Sequence, residues 1–221
     1  FYYPPTAWYN RRWERQTILA ADAISFVTPE TLDLVMAKYP SACRAKAFCL
    51  PHPFDPLLYE ESAQPPKGTY IIRSLGKFYG PRTPEPCYAA LARLCRESPF
   101  LLENTVFEFV GEFTRYSKVL LQRYPQIAPF ARLLPRVPYR ESLRLMQSAH
   151  CLLLIDAPAE RSVFFPSKLA DYVGSGRFIA AITPPGAAQR IVAEVGGWSA
   201  APNDEEAVYG LFHRLLVKRP D

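Results

Sequence analysis

The sequence predicts an α/β fold, a doubly wound parallel sheet preceded by an N-terminal helical and strand extension. Short, continuously apolar runs at residues 151–155 and 178–182, and the run at 106–110 interrupted only by Glu108, read as strands buried on both faces. Segments with helical spacing alternate with them, as at residues 84–97, where Cys87, Leu91, Leu94 and Cys95 recur at i, i+4, i+7 and i+8. Glycines such as Gly76 and Gly111 stand where runs end, as expected for strands that turn into loops.

Taken in order, residues 1–5 are aromatic and proline-rich and are not expected in a helix. From Thr6 onward Trp8, Arg11, Arg12 and Arg15 share one surface of a helix, which packs on its own protein or lies on an anionic membrane interface. Residues 23–27 are a buried strand, and Thr28-Pro29-Glu30 caps a helix that runs to about Lys38. Another strand spans 48–50. The stiff stretch Pro51-His52-Pro53-Phe54-Asp55-Pro56 and the polar residues after it mark a linker at 51–67, between an N-terminal portion, 1–50, and a main domain, 68–221.

In that domain the expected strands are 69–75, 106–110, 131–134, 151–155, 178–182 and 198–201. The expected helices are 84–97, 117–124, 139–149, 167–174, 187–194 and a last one to about Leu216, with Asn203 and Glu206 as its capping box.

The 221 residues are 49% hydrophobic and 21% charged, which implies a core and excludes disorder. A net charge of +5 suits an anionic ligand or an anionic membrane surface. The basic residues are scattered and not interleaved with aromatics, so no nucleic-acid partner is expected. Five cysteines without a CxxC pair read as reduced thiols in a cytoplasmic protein, and three dispersed histidines give no metal site. No apolar run is long enough to cross a membrane. The first residue is Phe, which suggests a fragment of a longer protein.

Ligands of parallel sheets bind at the carboxyl ends of the strands, and three strand ends here are polar in a suggestive way. Pro166 and Ser167 open a helix whose free N–H groups favour an anion, and Lys168 adds a full charge. Asp171, one turn on, can accept bonds from a vicinal diol such as a ribose. After the strand at 69–75 come Gly76, Lys77 and Arg82, where glycine permits close backbone approach and the two cations can converge on a diphosphate. This is not the GxGxxG pattern of a dinucleotide domain. The backbone near Val137 can hold the edge of a base, and Asp156 begins the loop into the Lys168 helix.

These residues resemble the C-terminal, donor-binding Rossmann-like domain of GT-B glycosyltransferases, in particular the retaining group often called family 4. Gly76, Lys77, Phe78 and Arg82 fall on that group's Gly-Arg-Leu-x-x-x-Lys pattern, with Lys and Arg exchanged. Phe165, Pro166 and Asp171 match the Phe, the Pro and the last acid of its Glu-Gly-Phe-Pro-x-x-x-x-Glu signature, and Pro166-Ser167-Lys168 resembles a Pro-Ser-Lys variant of it. Val163 stands where the group has the Glu that contacts the donor sugar.

The resemblance implies a nucleotide-diphosphate sugar as donor and no other cofactor. Lys77, Arg82 and Lys168 would stabilise the leaving diphosphate, Asp171 would hold the ribose and Val137 the base. It further implies retention of configuration, and a residue 1–50 remnant of an N-terminal domain whose loss leaves the chain able to bind a donor but inactive alone. It fits a cytoplasmic enzyme of polysaccharide biosynthesis, peripheral to the inner face of the membrane, with an acceptor the residues do not specify. A nucleotide-sugar epimerase and a non-catalytic nucleotide-binding domain on the same fold are the alternatives.

Overall fold

A computed structural model describes residues 4–59, 63–112 and 115–220. They form two compact units: residues up to His52 together with Val163–Phe165, and Pro53–Ser162 together with Pro166 onward.

In the smaller unit α1 (Pro4–Ala20) leads to β1 (Ile24–Phe26), α2 (Pro29–Met36), α3 (Ser41–Arg44) and β2 (Ala47–Cys49). Helix α1 begins at Pro4, inside the segment expected to be non-helical. Proline is tolerated there because the first N–H groups of a helix have no intrahelical partner. From Thr6 on, only Ala7 and Ile18 of α1 are not exposed, and Trp8 and Trp13 are 64% and 53% exposed. Thr28 caps α2 by accepting a bond from the Thr31 amide at 3.0 Å, and Pro29 supplies the fixed first turn. The Thr28 and Thr31 hydroxyls lie 3.0 and 2.9 Å from the Val163 carbonyl oxygen. Strands β1 and β2 pair in parallel over a small core of Ile18, Leu32, Met36 and Cys43.

The larger unit starts with β3 (Tyr70–Lys77), α4 (Glu85–Glu97), β4 (Thr105–Glu112), α5 (Arg115–Gln122), β5 (Ala131–Leu134) and α6 (Tyr139–Gln147). It continues with β6 (Cys151–Ile155), α7 (Ser167–Gly174), β7 (Phe178–Ile182), α8 (Ala187–Glu194), β8 (Trp198–Ala200) and α9 (Glu205–Lys218). The six strands form one parallel sheet in the order β5-β4-β3-β6-β7-β8. The chain steps outward from β3 to β5 and then returns to the other side of β3, so strand order reverses between β3 and β6. The fold is therefore the doubly wound parallel α/β architecture that the alternating apolar runs predict.

Helices α4 and α9 bury Tyr88, Leu91, Leu94, Phe212 and Leu215 against the sheet, where the Tyr88 ring meets Phe109 edge-on at 5.4 Å. Each such side chain contributes about 1.5–3 kcal/mol by leaving water. One ion pair lies inside: Arg73 on β3 and Glu108 on β4 are opposite in register, and Arg73 Nε donates to Glu108 Oε2 at 2.8 Å. Arg73 Nη1 also donates to the Leu145 carbonyl and to Ser148 Oγ, so the buried guanidinium is bonded on both sides.

The N-cap of α9 is Asp204, not Asn203, and its carboxylate accepts from the Ala207 amide at 2.9 Å. Glu206 pairs instead with Arg93. Aspartate adds a charge that the helix dipole favours, which neutral asparagine one residue earlier cannot match. Cys43, Cys87 and Cys151 are buried free thiols, and burial pushes the Cys87 and Cys151 thiols well above their ordinary range. Among the described residues no helix is long and apolar enough to cross a membrane.

Candidate functional site

Where strand order reverses in a parallel sheet, a crevice opens at the carboxyl ends of the strands. A cavity of about 460 Å³ lies there, lined by the ends of β3 and β4, the segment after β5, and one face each of α6 and α7. Leu75, Val110, Val137 and Met146 form its apolar wall, and Lys77, Glu112, Arg136, Lys168 and Asp171 its charged side. Five of the residues that the sequence singles out, Gly76, Lys77, Val137, Lys168 and Asp171, therefore share one cavity although they come from three separate segments.

Helix α7 is seated by two side chains one turn apart. Lys168 Nζ donates to the Leu75 carbonyl at 3.0 Å, and the buried Tyr172 hydroxyl accepts from the Leu75 amide at 2.9 Å. The pair holds the N–H and the C=O of one residue near the end of β3 and fixes the start of α7 over the strand. Burial is the main reason that the Lys168 ammonium titrates at about 8; the Arg82 charge lowers it further, and the Asp156 carboxylate works against both. At neutral pH it is mostly charged, and no carboxylate pairs with it among the described residues. Gly76 lies beside it at φ +131°, a backbone conformation that residues with a side chain rarely adopt.

Two other cations are already paired. Lys77 lies 3.1 Å from Glu112 in an exposed bridge, the kind that contributes little to stability. Arg82 is turned to Asp156, the first polar residue after the apolar strand β6, and Nη2 donates to Oδ1 at 2.7 Å. That carboxylate is only 5% exposed, so it holds the guanidinium firmly. Arg82 Nε and Asp156 Oδ2 are buried without a hydrogen-bond partner.

Arg82 thus stands outside the cavity lining, as do Pro166, the N-cap of α7, and Ser167, its exposed first residue. Pro166 offers no side-chain acceptor, so α7 begins without a side-chain cap.

Asp171 lies one turn after Lys168 and accepts two phenolic bonds on Oδ1, from Tyr139 at 2.9 Å and from Tyr59 at 3.2 Å. The sequence assigns neither tyrosine nor Glu112 a role at the site, and it places Asp156 in the loop before α7 without a partner. Asp156 had a local signal, a lone acid closing an apolar run; Tyr59 had none, because its partner lies 112 positions away.

Chemically, the cavity offers an ammonium beside an uncapped helix start, a fixed carboxylate about one helical turn away, and an apolar wall between them. That combination suits a ligand with a phosphate, a hydroxylated ring and a flat apolar group.

No protein-family model and no curated protein matches the chain by sequence. Solved structures do match it. HepE of Anabaena, in a complex with UDP and glucose, aligns over 95% of this chain and 58% of its own, with a TM-score of 0.67 at 11% identity. Sucrose-phosphate synthase of Thermosynechococcus elongatus gives 0.69 at 15% identity over 93% and 52%, respectively. The lipopolysaccharide outer core galactosyltransferase WaaB, in its apo form, gives 0.67 at 14% over 91% and 54%. The chain spans a little over half the length of each of these structures. What this likeness shows is the fold: the parallel sheet and its helices match the Rossmann-like domain found in GT-B glycosyltransferases.

Proposed function

We propose that this chain is the donor-binding half of a glycosyltransferase that moves a sugar from a nucleotide diphosphate to an acceptor. The observation that carries the reading is the cavity at the strand-order reversal, where the charged, carboxylate-free Lys168 and the fixed Asp171 face the same space.

Lys168 and the α7 N-terminus bind the diphosphate, with Lys77 at the rim and Arg82 behind Lys168. Asp171 takes the ribose, and the backbone at Val137 takes the base. As the glycosidic bond breaks, negative charge grows on the leaving diphosphate, and preorganised cations lower that barrier without a required metal. The retaining outcome and membership of family 4 belong to this proposal, on the strength of the motif resemblance.

The smaller unit is the remnant of the acceptor-side domain. Its two-stranded parallel sheet supports this, because parallel strands are ordinarily found inside larger, two-sided sheets. The exposed Trp8 and Trp13 beside Arg11, Arg12 and Arg15 are consistent with contact to the inner face of a membrane.

Titration calorimetry with UDP and GDP tests the proposal. We expect one of them to bind at micromolar to sub-millimolar concentration and the isolated chain not to turn over a nucleotide sugar. Binding by neither nucleotide overturns the reading.

A further inference from the structure

Asp171 is held more tightly than a carboxylate on a surface helix needs to be. Two phenols from distant parts of the chain converge on the same oxygen, Oδ1, and no hydrogen bond reaches Oδ2 among the described residues. A carboxylate oxygen has about two lone-pair sites, which Tyr139 and the Tyr59 proton, shared with the Asp171 carbonyl, approach together.

Both donors are themselves fixed. The Tyr59 carbonyl accepts from Gln147 Nε2 at 3.1 Å, and its ring meets Phe54 edge-on at 5.9 Å. The two rings close over Gly174, where a Cβ would come within 2.9 Å of either. The Tyr59 hydroxyl also lies 3.2 Å from the Asp171 carbonyl, so it spans the backbone and side chain of one residue. Tyr139 is the first residue of α6, and its carbonyl accepts from Ser142 Oγ at 2.6 Å. Its ring is 55% exposed and lines the cavity. Burial, and then the Asp171 charge, raise both phenols above their ordinary range, so both remain protonated donors at any physiological pH.

We propose that Tyr59 and Tyr139 are positioning residues which commit Asp171 Oδ1, leaving Oδ2 alone to read a single ribose hydroxyl of the bound nucleotide. The inference rests on the donor-site reading above and names the specificity device within it. With both oxygens free, a carboxylate takes the two hydroxyls of a vicinal diol in two parallel bonds; with Oδ1 committed to the tyrosines, that paired geometry is lost and only the hydroxyl that meets Oδ2 along the better lone-pair direction keeps a strong bond. Fixing the carboxylate in advance also removes the cost of ordering it when ligand arrives.

The test is calorimetry on the full chain with UDP or GDP, whichever binds more tightly, and with its 2′-deoxy and 3′-deoxy analogues. For the unaltered protein, one deoxy analogue should bind about tenfold more weakly than the ribonucleotide, and the other within about threefold of it. In the Tyr59→Phe, Tyr139→Phe double variant the gap between the two analogues should close to within about threefold, because Asp171 is free to turn. A merely structural role would lower affinity for all three ligands alike and leave the gap intact.

Equal weakening of both analogues, no weakening of either, or an unchanged gap in the double variant overturns the inference while leaving the donor site standing. Failure of the ribonucleotides themselves overturns both. If the double variant does not fold, Tyr139→Phe alone, altered at a half-exposed ring, carries the comparison with the same outcomes.

Discussion

Replacing Gly111 by alanine should lower the stability of the chain by about 3 kcal/mol or more, which in a protein of this size lowers the melting temperature by roughly 6–12 °C. Gly111 is the penultimate residue of β4, opposite Gly76 in register, at φ +153°, a backbone region that side-chain-bearing residues rarely enter. A Cβ there would lie 1.8 Å from the Gly76 carbonyl oxygen. That atom belongs to the neighbouring strand, so relief requires the ends of β3 and β4 to part. Gly76 and Gly111 both line the cavity, so nucleotide affinity should fall together with stability.

Gly68→Ala serves as a control. At φ +89°, with no atom within 4 Å of an added Cβ, it carries only the conformational cost of about 1–2 kcal/mol. Melting curves for the two variants decide the matter. If they coincide, the close approach of the two strand ends is not what constrains Gly111.

Lys168→Ala should weaken nucleoside diphosphate binding about 30-fold, the equivalent of about 2 kcal/mol for a charge-assisted bond. Lys77→Ala and Arg82→Ala should cost less, because Lys77 is exposed beside Glu112 and Arg82 is drawn to Asp156.

The Lys168 ammonium also sets a pH dependence. It titrates at about 8, so the free protein carries the charge below that pH and loses it above. Binding a phosphate favours the charged form. Affinity should therefore be level around neutrality and fall as pH rises beyond 8, by up to tenfold per unit. In Lys168→Ala the decline should vanish. A wild-type profile that is level from pH 7 to 10, or one that the substitution leaves unchanged, would remove Lys168 from the site.

The strands of the larger unit were legible because a strand covered on both faces has no polar alternation to hide it, as Cys151–Ile155 illustrates. Their ends were less so. Strand β3 continues through Gly76 to Lys77, because the ladder to β4 persists there through glycines rather than through apolar side chains.

The sharing of one cavity by Gly76, Lys77, Val137, Lys168 and Asp171 follows from topology, since loops after neighbouring parallel strands open on one edge. What each cation meets there depends on partners far along the chain. Arg82 and Asp156 are 74 positions apart, and no spacing rule links them. The same holds for the Tyr59 phenol, whose segment reads as a linker until it is folded against α7.

The central claim is that a nucleoside diphosphate occupies the cavity where strand order reverses. A crystal structure of the chain with UDP or GDP bound tests it most directly. The account predicts a phosphate oxygen within about 3 Å of Lys168 Nζ, the ribose against Asp171, and the base beside Val137. A nucleotide found elsewhere on the chain, or one in the cavity with its phosphates turned away from Lys168, contradicts it.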